Sequence, residues 1–271
     1  MPVARIHRPG PPLDDHVDCF WQWEGFAPPG ARERALPGGT LDLVINLEQD
    51  ELRFYADDGP SSLLVFPGAT LSGAHARYFV IGTPPRTLSI GVHFKPGGAV
   101  AFLDLAAREL EGRHTSLEAL WGGAARALRE RLLETPSEAR FDVLGAFLLE
   151  RARRPLGRGA RLKAALRAFD EPGLSSVAEV NERMGLSPKR LIALFREQVG
   201  LTPKAYWRVR RFQAALRAVE GGARHGAPLA AALGYFDQAH FDREFRHFTG
   251  MSPRAYRAHR IERPYHVPLR G

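Results

Sequence analysis

The stretch "FDQAHFDREFRHFTGMSPRAY" (residues 236–256) restates a pattern already present fifty positions upstream, in "LSPKRLIALFREQVGLTPKAY" (residues 186–206). Leu191 aligns with Phe241, Phe195 with Phe245, Arg196 with Arg246, Gly200 with Gly250, Pro203 with Pro253 and Tyr206 with Tyr256, all at one offset. A match this dense at a constant offset marks one supersecondary unit used twice.

Each unit reads as helix, short turn, helix. In the first, "SSVAEVNERMG" predicts a capped helix ending at Gly185, and Ser187 with Pro188 behind it starts another. In the second, "PLAAALGY" ends at Gly234 and Asp237 is the cap. Gly200 and Gly250 suit the left-handed position that closes the second helix of each unit. Two short helices joined by a tight Gly-containing turn describe a helix-turn-helix. The second helices are expected over 188–198 and 238–248.

At about 100° per residue, Phe241, Phe245 and Phe248 share one face, as do Leu191, Phe195 and Gln198. The opposite face carries Lys189, Ile192, Ala193 and Arg196 in one copy and Ala239, Asp242, Arg243 and Arg246 in the other. Short or polar side chains near a helix N-terminus can approach base edges, and flanking Arg and Lys can meet phosphates. The candidate DNA contacts are therefore Lys189, Arg190, Ile192, Ala193 and Arg196, and Gln238, Ala239, His240, Arg243 and Arg246. One such helix alone would read as a plain amphipathic surface helix; two copies in matching punctuation favour reading helices. "TPKAYWRVRRFQAALRAVE" predicts a connecting helix over 203–220, roughly 27 Å long at 1.5 Å per residue. A strut of that length can hold two reading helices about one DNA turn, roughly 34 Å, apart. Lys204, in its first turn, sits where free N–H groups favour a phosphate. "RVRRF" (208–212) reads as a solvated or phosphate-facing side of that strut.

Charge follows the same division. Residues 1–157 hold 17 Lys and Arg against 20 Asp and Glu, a balance of −3, whereas residues 158–271 hold 21 against 10, a balance of +11. Such asymmetry points to a polyanionic partner for the C-terminal part, double-stranded DNA in this case.

The N-terminal part reads as strands: residues 17–25, 40–47, 51–55, 62–68, 77–82 and 87–94 are short, β-branched or aromatic, and separated by Gly, Pro and Asp turns. That spacing suggests an antiparallel barrel or sandwich. Helical spacing then returns over 116–134 and 139–153. The stripe Leu117, Leu120, Trp121, Ala124 and Leu128 either covers the barrel or forms a dimer face. "RRPLGRG" (153–159) reads as a linker, giving an α+β chain with domains 1–157 and 158–271.

No catalytic signature is present: GxSxG, a Gly-rich phosphate loop, HExxH and CxxC are all missing. His75 and His93 stand 18 positions apart with no paired histidine beside either, so no metal or cofactor is expected, although a barrel could bring them together. Trp21 and Trp23 alternate along one strand and share a side of it. They read as core packing or as lining of a ligand cavity, since barrel mouths are common ligand sites. Trp21, Trp23, His75 and His93 are thus the candidate ligand residues. Cys19 is the single cysteine and reads as a small buried hydrophobe. No run approaches the ~20 apolar residues of a membrane span, and residues 1–15 hold no apolar signal core. A cytoplasmic protein, on the nucleoid when bound and with no membrane partner, is the expectation.

Residues 229–257, "LAAALGYFDQAHFDREFRHFTGMSPRAYR", resemble the signature of the AraC/XylS family of bacterial transcription regulators. Leu229-Ala230, Gly234-Tyr235, Phe241, Phe245-Arg246 and the run from Gly250 to Arg257 carry the resemblance. The first copy departs from the pattern at Val180-Asn181, where the family has an apolar residue followed by Ala. Residues 35–47 and 91–103 resemble the cupin-like N-terminal domain of one branch of these regulators. The resemblance implies a sequence-specific regulator that reads two successive major grooves. It also implies an N-terminal domain that takes a small-molecule effector, forms a homodimer, or both, and RNA polymerase as a partner if the protein activates. The alternative is a cupin-type enzyme, an isomerase or oxygenase, fused to a DNA-targeting module; it requires metal ligands converging in the barrel.

Overall fold

The structure is a computed structural model; it describes residues 3–25, 32–83, 87–152, 156, 159–171, 173–224, 226–259 and 265–269. Ten strands come first: β1 (Val3–His7), β2 (Val17–Glu24), β3 (Arg32–Ala35), β4 (Asp42–Asn46), β5 (Glu51–Tyr55), β6 (Leu63–Pro67), β7 (Ala69–Ser72), β8 (Phe79–Gly82), β9 (Leu88–Phe94) and β10 (His114–Ser116). Three helices follow, α1 (Leu117–Trp121), α2 (Gly123–Glu134) and α3 (Arg140–Arg151). Then come α4 (Ala160–Asp170), α5 (Val177–Met184), α6 (Pro188–Gln198), α7 (Pro203–Glu220), α8 (Ala227–Ala232), α9 (Gln238–Thr249) and α10 (Pro253–His259). A short strand, β11 (His266–Pro268), comes last.

The strands form two antiparallel sheets, one in the order β1-β2-β9-β4-β7-β10 and one in the order β11-β3-β8-β5-β6. Alternation assigns the faces of the first sheet. Phe20, Leu43, Ile45, Leu71, Ile90 and Val92 point to one side, where Leu128, Leu132, Leu144 and Leu148 of α2 and α3 complete a buried apolar layer. Phe20 stacks on Phe141 of α3 at 6.2 Å between centroids. The stripe on α1 and α2 therefore covers the sheet: Leu117, Trp121 and Leu128 are buried, and Leu120 and Ala124 are half-buried against the same core. The single helix expected over 116–134 is interrupted at Gly122.

The helical half is built on α7. In the first copy Phe195 packs on Tyr206 at 5.4 Å and both meet Phe169 of α4. Fifty positions on, Phe245 packs on Tyr256 at 5.7 Å, and Phe245 and Phe248 meet Phe212 of α7. The repeat in sequence is thus a repeat in packing.

The two halves share one core. Gly97 approaches α4 so closely that a Cβ there would lie 2.4 Å from Leu162, which accounts for a glycine in "FKPGG". Gln213 of α7 donates to the carbonyl of Pro37, and Lys163 pairs with Asp15 at 2.6 Å. Arg34 of β3, paired with Asp58 at 2.7 Å, reaches the carbonyl of Thr249 at the end of α9. Finally β11 pairs with β3, Val267 opposite Arg34, so the tail beyond the second helix-turn-helix completes an edge of the N-terminal sheet. Residues 153–155, 157 and 158 of the expected linker lie outside the described residues.

Candidate nucleic-acid interface

Both turns close in the same way. After α5, Gly185 takes φ 60°, its N–H bonds Glu182 O, and the Leu186 N–H reaches back to Asn181 O at 3.0 Å. After α8, Gly234 takes φ 72°, its N–H bonds Ala231 O, and the Tyr235 N–H reaches Ala230 O at 2.9 Å. This is the glycine-centred helix stop with an apolar residue tucked behind it. Leu186 is half-buried and Tyr235 buried in that role. The next helix then starts differently. Ser187 is the N-cap of α6 directly after Leu186, whereas Phe236 intervenes between Tyr235 and the N-cap Asp237 of α9. The caps are fifty positions apart and the glycines forty-nine, so the second turn is one residue longer. Ser187 occupies the expected cap position, but its hydroxyl makes no capping bond; Asp237 Oδ1 accepts the His240 N–H at 2.6 Å.

The inward and outward faces of α6 and α9 stand as the periodicity predicts. Leu191, Phe195, Phe241, Phe245 and Phe248 are buried. Lys189, Arg190, Ile192, Ala193 and Arg196 are exposed in one copy, and Gln238, Ala239, Arg243 and Arg246 in the other. The N-terminal body covers neither face. His240 is turned toward its own turn: it is half-buried, packs edge-on against Tyr235 at 5.4 Å, and its Nδ1 accepts the Phe236 N–H. Lys204 is exposed in the first turn of α7, whose N-cap Thr202 accepts the Ala205 N–H.

Sequence reasoning missed the braces. The arginines of "RVRRF" hold the motifs instead of lining a free side of the strut. Arg208 makes a two-pronged pair with Glu244 of α9 at 2.9 and 2.8 Å. Burial pushes the Glu244 carboxyl up, but the Arg208 bonds outweigh it and hold it below the usual carboxylate range. Arg210 pairs with Asp170 of α4 at 2.6 Å. Arg211 lies over Trp207 and Tyr235, 4.4 and 4.8 Å from the ring centroids, and donates to Gly234 O. Trp207 is one helical turn from Arg211, but no local pattern marks Glu244, Asp170 or Gly234, which lie 36, 40 and 23 positions from their arginines.

In the N-terminal body the second face of the first sheet carries Trp21, Gly91, His93, Asp42, Ser72 and His114 at adjoining register positions. Trp21 is buried, covers Gly91 and packs on His93; Trp23 is half-buried two positions along. His75 and His93 make different direct contacts, and the Asp42 carboxylate that bonds His93 also acts on the His75 imidazole. His93 Nδ1 meets Asp42 at 2.6 Å, while His75 stacks on His114 at 5.0 Å and lies tilted against Phe79 at 4.3 Å. His114, which no motif singled out, is sandwiched by Phe54 at 3.7 Å and bonded to Ser72. Burial holds the His75 imidazole down to about 4, and burial with the neighbouring His75 holds His114 down to about 3, so both are neutral near pH 7. Among the described residues no three of His, Cys, Asp and Glu gather as a metal site, and no helix is long and apolar enough to cross a membrane. Cys19 is buried, with its thiol pushed up to about 11 by burial.

Two exposed faces, each on the second helix of a glycine-punctuated helix pair and joined by one rigid helix, define a tandem helix-turn-helix protein. Comparison with known proteins agrees. The family profile "Helix-turn-helix domain" matches residues 180–259, and "Domain of unknown function (DUF6597)" matches residues 5–116. The probable transcriptional regulator LumQ of Photobacterium leiognathi is 32% identical over 81 residues, 30% of this chain and 33% of that one. The arabinose operon regulatory protein of Escherichia coli (strain K12) is 33% identical over 82 residues, 30% of this chain and 28% of that one. The chain thus spans about a third of the length of the curated relatives it matches. A solved structure of ToxT from Vibrio cholerae aligns with 88% of this chain and 98% of its own at 9% identity, with a TM-score of 0.48. The C-terminal helices are thus similar to a helix-turn-helix domain and to the matched segments of the LumQ and arabinose operon regulators.

Proposed function

We propose that this protein is a sequence-specific transcription regulator that binds double-stranded DNA through α6 and α9 in two successive major grooves. The observation that supports this best is the repeated unit itself. The packing of Phe195 on Tyr206 and of Phe245 on Tyr256 recurs at one offset, and each copy presents an exposed basic face that the rest of the chain leaves clear. Lys189, Arg190, Ile192, Ala193 and Arg196 serve the first half-site, and Gln238, Ala239, Arg243 and Arg246 the second, with His240 buttressing its turn. Lys204 meets a phosphate from the start of α7. α7 sets the spacing, and Arg208, Arg210 and Arg211 fix each motif to it.

Residues 1–157 form the sensing or dimerising part and residues 158–271 the DNA-binding part, joined through the shared core. A small-molecule effector would enter between the two sheets, near Trp21, Trp23, His75 and His93. This reading is preferred to an enzyme because the profile and the curated relatives that the chain matches are a helix-turn-helix domain and transcription regulators. The full-length chain, incubated with random-sequence duplexes and carried through repeated selection, is expected to enrich a two-block site with block centres about one helical turn apart. Enrichment of a single block, or none above carrier DNA, overturns the proposal.

A further inference from the structure

We infer that Phe236 reads DNA, packing its ring on a thymine methyl at the leading edge of the second half-site; the inference rests on the reading of α9 as a recognition helix. Three observations carry it. First, the residue is an insertion: the glycine stop and the N-cap position are joined in the first copy by one residue fewer. Its ring fills no place in the core. Tyr235 already fills the apolar seat that Leu186 fills in the first copy. Second, the ring is 92% exposed, the most exposed large apolar side chain among the described residues. Single exposed apolar residues are common on protein surfaces, but this one projects from a fixed turn whose backbone N–H is held by His240 Nδ1. Third, its place is continuous with the reading face. It lies one residue before the cap Asp237 and two before Gln238, at the end of the recognition helix that enters the groove first.

The chemistry of the groove then limits the target. Base edges in the major groove present donors and acceptors, and their one apolar projection is the 5-methyl group of thymine, a known partner for phenylalanine. The first copy offers Ile192, 43% exposed, for the same purpose from the middle of α6. The two half-sites are therefore read for thymine from different points along their helices.

The test uses the full-length protein and the duplex obtained by site selection, with each thymine in turn replaced by uracil to remove only the methyl group. The wild type is expected to lose about fourfold at one thymine bordering the second block, the value of one buried methyl. Phe236→Ala is expected to bind the cognate duplex about tenfold more weakly, to ignore that uracil, and to melt at the wild-type temperature because the ring is exposed. Phe236→Leu is expected to recover most of the loss. If Phe236→Ala binds normally while Arg243→Ala is weakened, the ring does not read DNA although α9 does. If Phe236→Ala binds and scans normally yet loses transcription, the ring meets a protein partner and the inference is wrong. If the wild type enriches no site at all, the reading of α9 fails and the inference with it.

Discussion

The two helix-turn-helix copies are built on one plan and finished differently. Each buries its rings against α7 and stops its first helix with a left-handed glycine. The first copy then turns in the minimum length, leaves Ser187 without a capping bond, and presents Lys189, Arg190, Ile192 and Ala193. The second adds Phe236, caps α9 with Asp237, and is braced by Arg208 on Glu244 and by Arg211 over Tyr235. The second is also touched at its far end by Arg34 of the N-terminal body. The difference separates what the unit needs to fold from what each copy has acquired. The rings, the glycines and the outward pair Arg196 and Arg246 recur; the capping bond, the braces and the other outward side chains do not.

That separation can be broken most directly at the rings. Phe195→Ala and Phe245→Ala are expected to cost about 3–5 kcal/mol each, by lost transfer energy and the cavity left behind. Urea unfolding of the two variants should show similar losses; a large loss in one alone would mean that the copies do not share a packing plan.

The N-terminal interior supplies a stability lever outside both copies. The folded His75 and His114 have values of about 4 and about 3, below the ordinary 6.5, so the unfolded chain takes up protons first as pH falls. Their contribution is therefore complete above about pH 6.5 and is lost progressively from there toward pH 4 and below, on the order of a few kcal/mol. His114→Gln is expected to flatten that acid limb of the unfolding free energy. An unchanged slope would show that the imidazole is already protonated in the fold.

On DNA, Arg243→Ala should cost about 1–3 kcal/mol and relax preference at one base pair. Lys204→Ala should weaken every sequence alike and lower the salt slope by about one. Titration of both variants against single-base changes over a salt series distinguishes the roles. A uniform loss for Arg243→Ala would make it a phosphate contact. The smallest effect concerns the caps: Asp237→Ala should cost about 1 kcal/mol and Ser187→Ala close to nothing, since only Asp237 makes the bond. Equal thermal shifts would mean that Ser187 caps in solution.

Much of this was legible before the structure. Residues 51–55, 188–198 and 203–220 fall where spacing and capping residues placed them, because their signals are local. β3, with the sequence Arg-Glu-Arg-Ala, and β11, three residues long, carry no such signal; each exists because a distant strand offers an edge. The exposed faces of α6 and α9 followed from period 3.6 alone, whereas the Arg208–Glu244 brace and the His75–His114 stack are encounters that only the folded chain creates. The extra residue at Phe236 was present in the sequence as the difference between two glycine spacings, and the structure supplied its meaning.

The pairing of β11 with β3 places a time order on the molecule. Val267 lies opposite Arg34, more than 230 positions earlier, so β3 emerges during synthesis with one side unpaired and keeps it so until the whole helical half has been made. Contacts of such sequence separation close slowly, since a long loop must be ordered first. Until then the nascent chain carries an open strand beside Arg34, the residue that will touch the end of α9. Closure of this sheet edge is thus a late event.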